Sequence, residues 1–146
     1  MTQNLNHRLL LQLAKDNFGC GICLEAEKFA AQAIAAMQSS FSAHNPQLAD
    51  AYALHGDICR EIVRSYHGVD LKADYQQRWL HSARAEIACR SLGCDTEALA
   101  KVRFRYGRSL AKAGDTRGYN EIEEAMLILE RLSEHGNCKP PALDWL

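Results

Sequence analysis

Proline placement constrains this chain strongly, because proline interrupts helix interiors and central β-strands alike. The 146-residue sequence has only three prolines, at positions 46, 140 and 141. Between them, apolar residues recur at steps of three and four rather than two. That spacing is typical of amphipathic helices. The sequence therefore predicts an all-α protein.

Glycines and polar breaks divide the chain into six predicted helices. They cover residues 8–18, 24–41, 48–63, 75–92 and 96–113, and a sixth helix ends before Gly136. The mixed segment 65–72 contains Gly68 and is predicted to be an extended loop. Residues from Pro140 to Leu146 are predicted to form a short closing turn.

The composition argues against several classes of function. The 17 Lys and Arg residues are balanced by 18 Asp and Glu residues, for a net charge of -1, whereas nucleic-acid binding usually requires a basic excess. No apolar run approaches the roughly 20 residues that span a bilayer, and the first residues lack the features of a secretory signal. We expect a single cytoplasmic domain over residues 1–146 that binds neither nucleic acid nor a membrane.

The chain contains an internal repeat marked by small residues. A shift of 51 residues aligns Gly56 with Gly107, and a shift of 42 residues aligns Ala14 with Gly56. A small side chain at the same point of each first helix allows two helices to cross closely. The repeat predicts three helix-turn-helix units, at about 5–43, 46–93 and 96–135, followed by a tail over 136–146.

The first unit resembles a tetratricopeptide repeat. Six of its residues fall at places where the repeat carries tryptophan, leucine, glycine or alanine. They are Leu10, Leu13, Ala14, Gly21, Ala26 and Ala33. The closest variety is the repeat of about 42 residues found in kinesin light chains. Segment 25–34 resembles the second helix of such a unit, and segment 44–49 resembles the link into the next.

The third unit carries related residues at Gly107, Leu110, Gly118, Ile122 and Ala125. The resemblance implies a right-handed α-solenoid of three units with a short C-terminal cap. It also implies a non-catalytic protein that binds a peptide or partner protein in a concave groove.

The chain departs from the repeat pattern at three places. His55 stands where leucine is usual, Arg103 stands where an aromatic residue is usual, and the second unit carries about nine extra residues between its helices.

The first helices line the groove in such solenoids, so the register predicts the residues that contact a peptide. They combine cations with two aromatic rings, which suits an acidic peptide with a bulky apolar anchor. Ordinary solvated helix faces would also carry such residues. The predicted groove residues are Arg8, Leu11, Lys15, Phe18, Asp57, Arg60, Lys101, Phe104, Arg108 and Lys112.

Two arrangements suggest chemistry. Cys20-Gly21-Ile22-Cys23 is a C-x-x-C motif without a matching second pair, so it favours packing cysteines over a zinc or redox site. His55 and Cys59 lie one helical turn apart, but the sequence shows no third group that would orient them. We expect His55 to pack or cap locally, and we expect no catalysis, no metal and no other cofactor.

Two alternatives remain at this point. One is a small thiol- or metal-dependent protein centred on Cys20 and Cys23, and the other is a structural subunit that self-associates through its solenoid ends. The tail Leu143-Asp144-Trp145-Leu146 combines an acidic residue with an aromatic one. It is therefore a candidate occupant of its own groove or of a neighbouring molecule's groove.

Overall fold

The computed structural model describes residues 2–94 and 96–134, and every regular element in that part of the chain is an α-helix. The predicted closing turn and the tail 136–146 lie outside the described residues. The all-α prediction is confirmed. The helices are α1 (Thr2–Gly19), α2 (Cys23–Ser40), α3 (Pro46–Ser65), α4 (Val69–Arg90), α5 (Glu97–Lys112) and α6 (Arg117–Glu134).

Local signals explain where several helices begin. The Asn45 side chain accepts a hydrogen bond from the Gln47 backbone N–H, and Pro46 occupies the first turn of α3, where its missing N–H costs nothing. Thr96 caps α5 in the same way, by accepting from the Leu99 N–H at 3.1 Å. Gly21 and Gly114 adopt positive φ angles of 79° and 84° in the turns after α1 and α5, a backbone conformation that favours glycine.

The prediction of an extended loop over 65–72 is correct only for residues 66–68, which connect α3 to α4, and is wrong from Val69 onward. Helix α4 begins at Val69, six positions before the predicted start at Tyr75. The Lys72 N–H donates to the Gly68 carbonyl at 2.9 Å, and Asp70 lies in the first turn, where a negative charge complements the helix dipole. Residues 69–74, which were predicted to lie before the helix, therefore form its first turns.

The chain forms two compact units, which differ from the three predicted repeats and are called the first unit (residues 1–89) and the second unit (residues 90–146) from here on. In the first unit, α1 packs against α2, α2 packs against α3, and α1 also contacts α3. Met37, Ile58 and Ile62 are among the largest side chains that are fully buried. These residues form the interior of the first unit.

Gly56 marks a close crossing of α3 and α4 in the first unit. A Cβ atom at Gly56 would lie 3.3 Å from Cδ1 of Trp79, and Trp79 is 5% exposed. The predictions that Gly56 lies at a tight crossing and that Trp79 is buried are both confirmed.

In the second unit, α5 packs against α6, and the two backbones approach closely at Gly107 and Gly118. A Cβ atom at Gly107 would lie only 2.5 Å from the Gly118 carbonyl oxygen, so the predicted close crossing at Gly107 is confirmed. Arg103 donates hydrogen bonds to Glu121 at 2.9 Å and to Ser91 at 3.1 Å. A polar link from α5 to α6 thus stands at this position.

Candidate functional site

A buried polar network joins three helices of the first unit. His55 on α3 lies between Glu27 on α2 and Ser82 on α4. Its Nε2 is 2.8 Å from Glu27 Oε2, and its Nδ1 is 2.5 Å from Ser82 Oγ. All three side chains are buried. Both ring nitrogens are therefore satisfied inside the core, as a buried polar group requires.

Arg78 completes the hydrogen bonding of Glu27. Its guanidinium donates to Glu27 Oε1 at 3.0 Å and to the Asp74 carboxylate on the preceding turn. The same group lies 4.5 Å from the ring centroid of Tyr75. One terminal nitrogen of Arg78 thus binds the buried Glu27 carboxylate, while Nε and the other terminal nitrogen bind the more exposed Asp74.

The pKa of Glu27 is set by opposing influences. Burial alone would raise the pKa of this carboxyl, but the hydrogen bond from His55 and the charges of His55 and Arg78 outweigh burial and lower it. Ionised Glu27 accepts a hydrogen bond from the protonated Nε2 of His55. In the neutral ring, Nδ1 then accepts a hydrogen bond from the Ser82 hydroxyl.

Cys59 adds a thiol to this network. Its Sγ lies 3.8 Å from His55 Nε2 and 3.9 Å from Nδ1, so the predicted proximity of His55 and Cys59 is confirmed. Burial, and secondly the negative charge of Glu27, raise the pKa of Cys59 to about 12. The thiol is therefore protonated near neutral pH and is a poor nucleophile in this state.

The order Ser82, His55, Glu27 resembles a nucleophile, a base and an orienting carboxylate. A nucleophile must reach its substrate, and Ser82 is only 2% exposed. The arrangement in this conformation serves to hold α2, α3 and α4 together rather than to attack an external molecule.

The expectation that His55 packs or caps locally is half right. His55 is packed in the core, but its partners Glu27 and Ser82 lie 28 and 27 positions away. One sequence signal could have marked Glu27, though not Ser82: Glu27 falls beside Ala26 and one turn before Ala30, in the buried stripe of α2. A carboxylate in such a stripe needs a buried partner.

The two cysteines of the C-x-x-C motif have different surroundings. Cys20 is exposed, whereas Cys23 is buried at the start of α2. Burial, together with the charge of Glu61, raises the pKa of Cys23. Among the described residues, the group of three potential metal ligands is Glu27, His55 and Cys59, and it includes neither cysteine of the motif.

The predicted groove residues of the first unit lie on α1 and α3, which contact each other. Leu11 is half-buried and packs against a core cluster that includes Met37 and Leu48. The Arg60 guanidinium lies 5.5 Å from the Trp79 ring centroid. Within this set, Arg8, Lys15, Asp57 and Arg60 are exposed, while Leu11 and Phe18 are half-buried.

The remaining predicted groove residues lie on α5 in the second unit. Arg108 and Lys112 are exposed, and Lys101 and Phe104 are half-buried. Phe104, Arg108 and Lys112 follow one another at intervals of four, which places them along one face of the helix.

No protein-family model, curated protein or solved structure matches this chain. Within the described residues, no helix is both long and apolar enough to cross a membrane.

Proposed function

We propose that the protein is a non-catalytic interaction module of the tetratricopeptide type, which binds an acidic peptide with an aromatic anchor. The observation that carries this proposal is the register of the first helices. Ala14, Gly56 and Gly107 are all buried, as the repeat predicts. The same register assigns Lys15 and Arg108 to the solvent-facing side, and both are exposed.

Helix α5 illustrates the chemistry of the proposed binding faces. Phe104 offers a half-buried ring, and Arg108 and Lys112 extend the same face with two exposed cations. A peptide carboxylate would meet the cations while an apolar anchor covers the ring. On α1, Phe18 and the exposed Lys15 repeat this combination three residues apart.

The buried network supports a binding role rather than a catalytic one. Its nucleophilic groups, Ser82 and Cys59, are enclosed in the core of the first unit. The predicted contact residues Lys15, Phe18, Phe104, Arg108 and Lys112 are cations and partly exposed rings, which recognise ligands without transforming them.

The test is direct binding of a fluorescent acidic peptide that contains one tryptophan, measured by anisotropy and compared with a lysine-rich peptide of the same length that also contains one tryptophan. The variant Arg108→Glu/Lys112→Glu should weaken binding at least tenfold. The matched control is Lys28→Glu/Arg84→Glu, which makes the same charge change at exposed positions of the second helices α2 and α4. Added salt should weaken binding, because exposed charges are screened.

Unchanged affinity in the folded Arg108→Glu/Lys112→Glu variant would show that the α5 face is not a binding surface. Equal loss in both double variants would indicate a general charge effect instead of recognition by the first helices.

Self-association is a second candidate, favoured by the surface of α6. Tyr119 and Met126 lie seven residues apart on one face of this helix and are 63% and 48% exposed. The neighbouring Leu127 is also exposed. Sedimentation of wild type and of Tyr119→Glu/Met126→Glu tests it: a dimer that dissociates in the variant supports self-association, and a wild-type monomer at high concentration contradicts it.

A further inference from the structure

We propose that Glu27, His55 and Cys59 form a binding site for one divalent transition-metal ion of the zinc class. Each residue offers one ligand atom, and these atoms all lie within 4.8 Å of one another. This inference is independent of peptide binding and departs from the metal-free expectation drawn from the sequence.

The distance between the His55 and Cys59 ligand atoms is close to that of a tetrahedral site, and Glu27 reaches such a distance after a small shift. Ligand bonds of about 2.0–2.3 Å at tetrahedral angles separate neighbouring ligand atoms by about 3.3–3.7 Å. His55 Nε2 and Cys59 Sγ are 3.8 Å apart, near that range. Glu27 Oε2 lies 2.8 Å from Nε2, so it would retreat by about 0.5 Å to admit the ion.

The types of ligand select the type of metal. One imidazole, one thiolate and one carboxylate suit zinc and cobalt(II), whereas magnesium and calcium prefer oxygen alone. The thiolate and the carboxylate together carry two negative charges, which neutralise the charge of the ion. A neutral cluster is less costly to bury than an isolated charge.

Neighbouring residues would orient these ligands. Ser82 lies at His55 Nδ1 and Arg78 holds the second oxygen of Glu27, which leaves Nε2 and Oε2 for the metal. A histidine ligand usually hydrogen-bonds through its other ring nitrogen in this way. His55 and Cys59 are also four residues apart on α3, so one helix fixes two of the three ligands.

The protons balance as follows. Nε2 gives up its proton and Nδ1 gains one, so the neutral ring changes tautomer and Nδ1–H then donates to Ser82 Oγ. The Cys59 thiol releases one proton to solvent and becomes the thiolate ligand. No oxidant or reductant is required.

The test uses the full chain, stripped of metal by chelation and refolded with Co²⁺, because the buried ligands are reached only when the helices open. We expect one Co²⁺ per chain, with a thiolate-to-cobalt charge-transfer band and intense visible bands of tetrahedral cobalt. Cys59→Ser should remove the charge-transfer band and weaken binding at least tenfold. The matched control, Cys20→Ser/Cys23→Ser, should retain both.

Ser82→Ala should weaken Co²⁺ binding about tenfold or more, because it removes the partner that orients His55. X-ray absorption on the wild-type chain loaded with Zn²⁺ provides a readout that requires no variant to fold, and it should show one sulfur ligand per zinc. Absence of stoichiometric binding, two sulfur ligands, or loss of the band only in the Cys20→Ser/Cys23→Ser variant would each overturn the proposal.

Discussion

Glu27 and His55 stand 28 positions apart in the sequence, yet Glu27 Oε2 lies 2.8 Å from His55 Nε2 in the core of the first unit. This pair joins α2 to α3, and the contact of His55 with Ser82 extends the link to α4. At this place in the core, the chain holds three helices together by hydrogen bonds between buried side chains.

The first prediction concerns the replacement of His55 by leucine, whose apolar side chain makes no hydrogen bond. Leucine would leave Glu27 and Ser82 without their shared partner, and an unsatisfied buried polar group costs about 1–3 kcal/mol. We expect His55→Leu to lower the free energy of unfolding by that amount in urea titrations.

Replacing all members of the network should recover most of this loss, because removing both partners of a buried hydrogen bond is nearly neutral. The triple variant His55→Leu/Glu27→Leu/Ser82→Ala is therefore expected to be more stable than His55→Leu alone. A triple variant less stable than the single one would show that the network contributes more than its hydrogen bonds.

The second prediction is a pH dependence that arises from Glu27. Because its pKa is lowered in the folded state from an ordinary value of 4.5, ionised Glu27 contributes stability that is fully present above about pH 4.5. That contribution is lost as pH falls below 4.5 and through the folded-state pKa.

The measurement is urea unfolding between about pH 3 and pH 7 for wild type and Glu27→Gln. The difference in free energy of unfolding between the two should shrink as the solution becomes more acidic. A constant difference across this range would mean that the ionised carboxylate makes no specific contribution. Subtraction of the two curves removes the effect of carboxylates outside the network.

The third prediction addresses the crossing of α5 and α6. At Gly107, an added Cβ would approach the Gly118 carbonyl oxygen to 2.5 Å, and backbone cannot move aside cheaply. Gly107→Ala should therefore lower the free energy of unfolding by about 1–3 kcal/mol, although alanine favours helix over glycine.

The control for this variant is Gly93→Ala in the same unit. A Cβ there would lie 3.6 Å from the Arg90 carbonyl oxygen, an ordinary contact, so thermal unfolding should change little. A Gly107→Ala variant as stable as wild type would contradict the prediction, because it would mean that α5 and α6 can move apart without loss of folding free energy.

Spacing in the sequence predicted the close crossings correctly for a physical reason. Helices that approach closely leave no room for a side chain at the crossing. Positions 56 and 107 therefore require a small residue, whichever helix packs against them. The start of α4 was missed because Gly68 suggested a continuing loop, whereas the next residues, with Asp70 in the first turn, are compatible with a helix.

The Glu27, His55 and Ser82 network was not predicted because it depends on three helices meeting. Periodicity shows which face of a helix is buried, but it does not pair a residue of one face with a residue of another. Cys59 was found beside His55 because their contact lies within one helical turn. The groove residues remain a prediction for a different reason, because a binding surface is identified only by the ligand that it contacts.

The last prediction separates the cysteines by reactivity. Cys20 and Cys94 are exposed, while Cys23, Cys59 and Cys89 are buried. Reaction with an alkylating agent requires both access and a thiolate. Brief treatment near pH 7.5 should therefore modify Cys20 and Cys94 first, as located by mass spectrometry of proteolytic peptides.

Cys59 should react last among these thiols, because burial raises its pKa to about 12 and reaction must wait for opening of the core. Cys23 should also lag well behind Cys20, since its pKa is raised and its side chain is buried. Modification in urea should remove these differences and so provides the control for reagent access. Equal alkylation rates of Cys20 and Cys23 in the folded chain would contradict the burial of Cys23, and ready oxidation to a Cys20–Cys23 disulfide would show that the C-x-x-C motif is a redox pair. Such a disulfide would support the alternative of a thiol-dependent protein, against which the burial of Cys23 now argues.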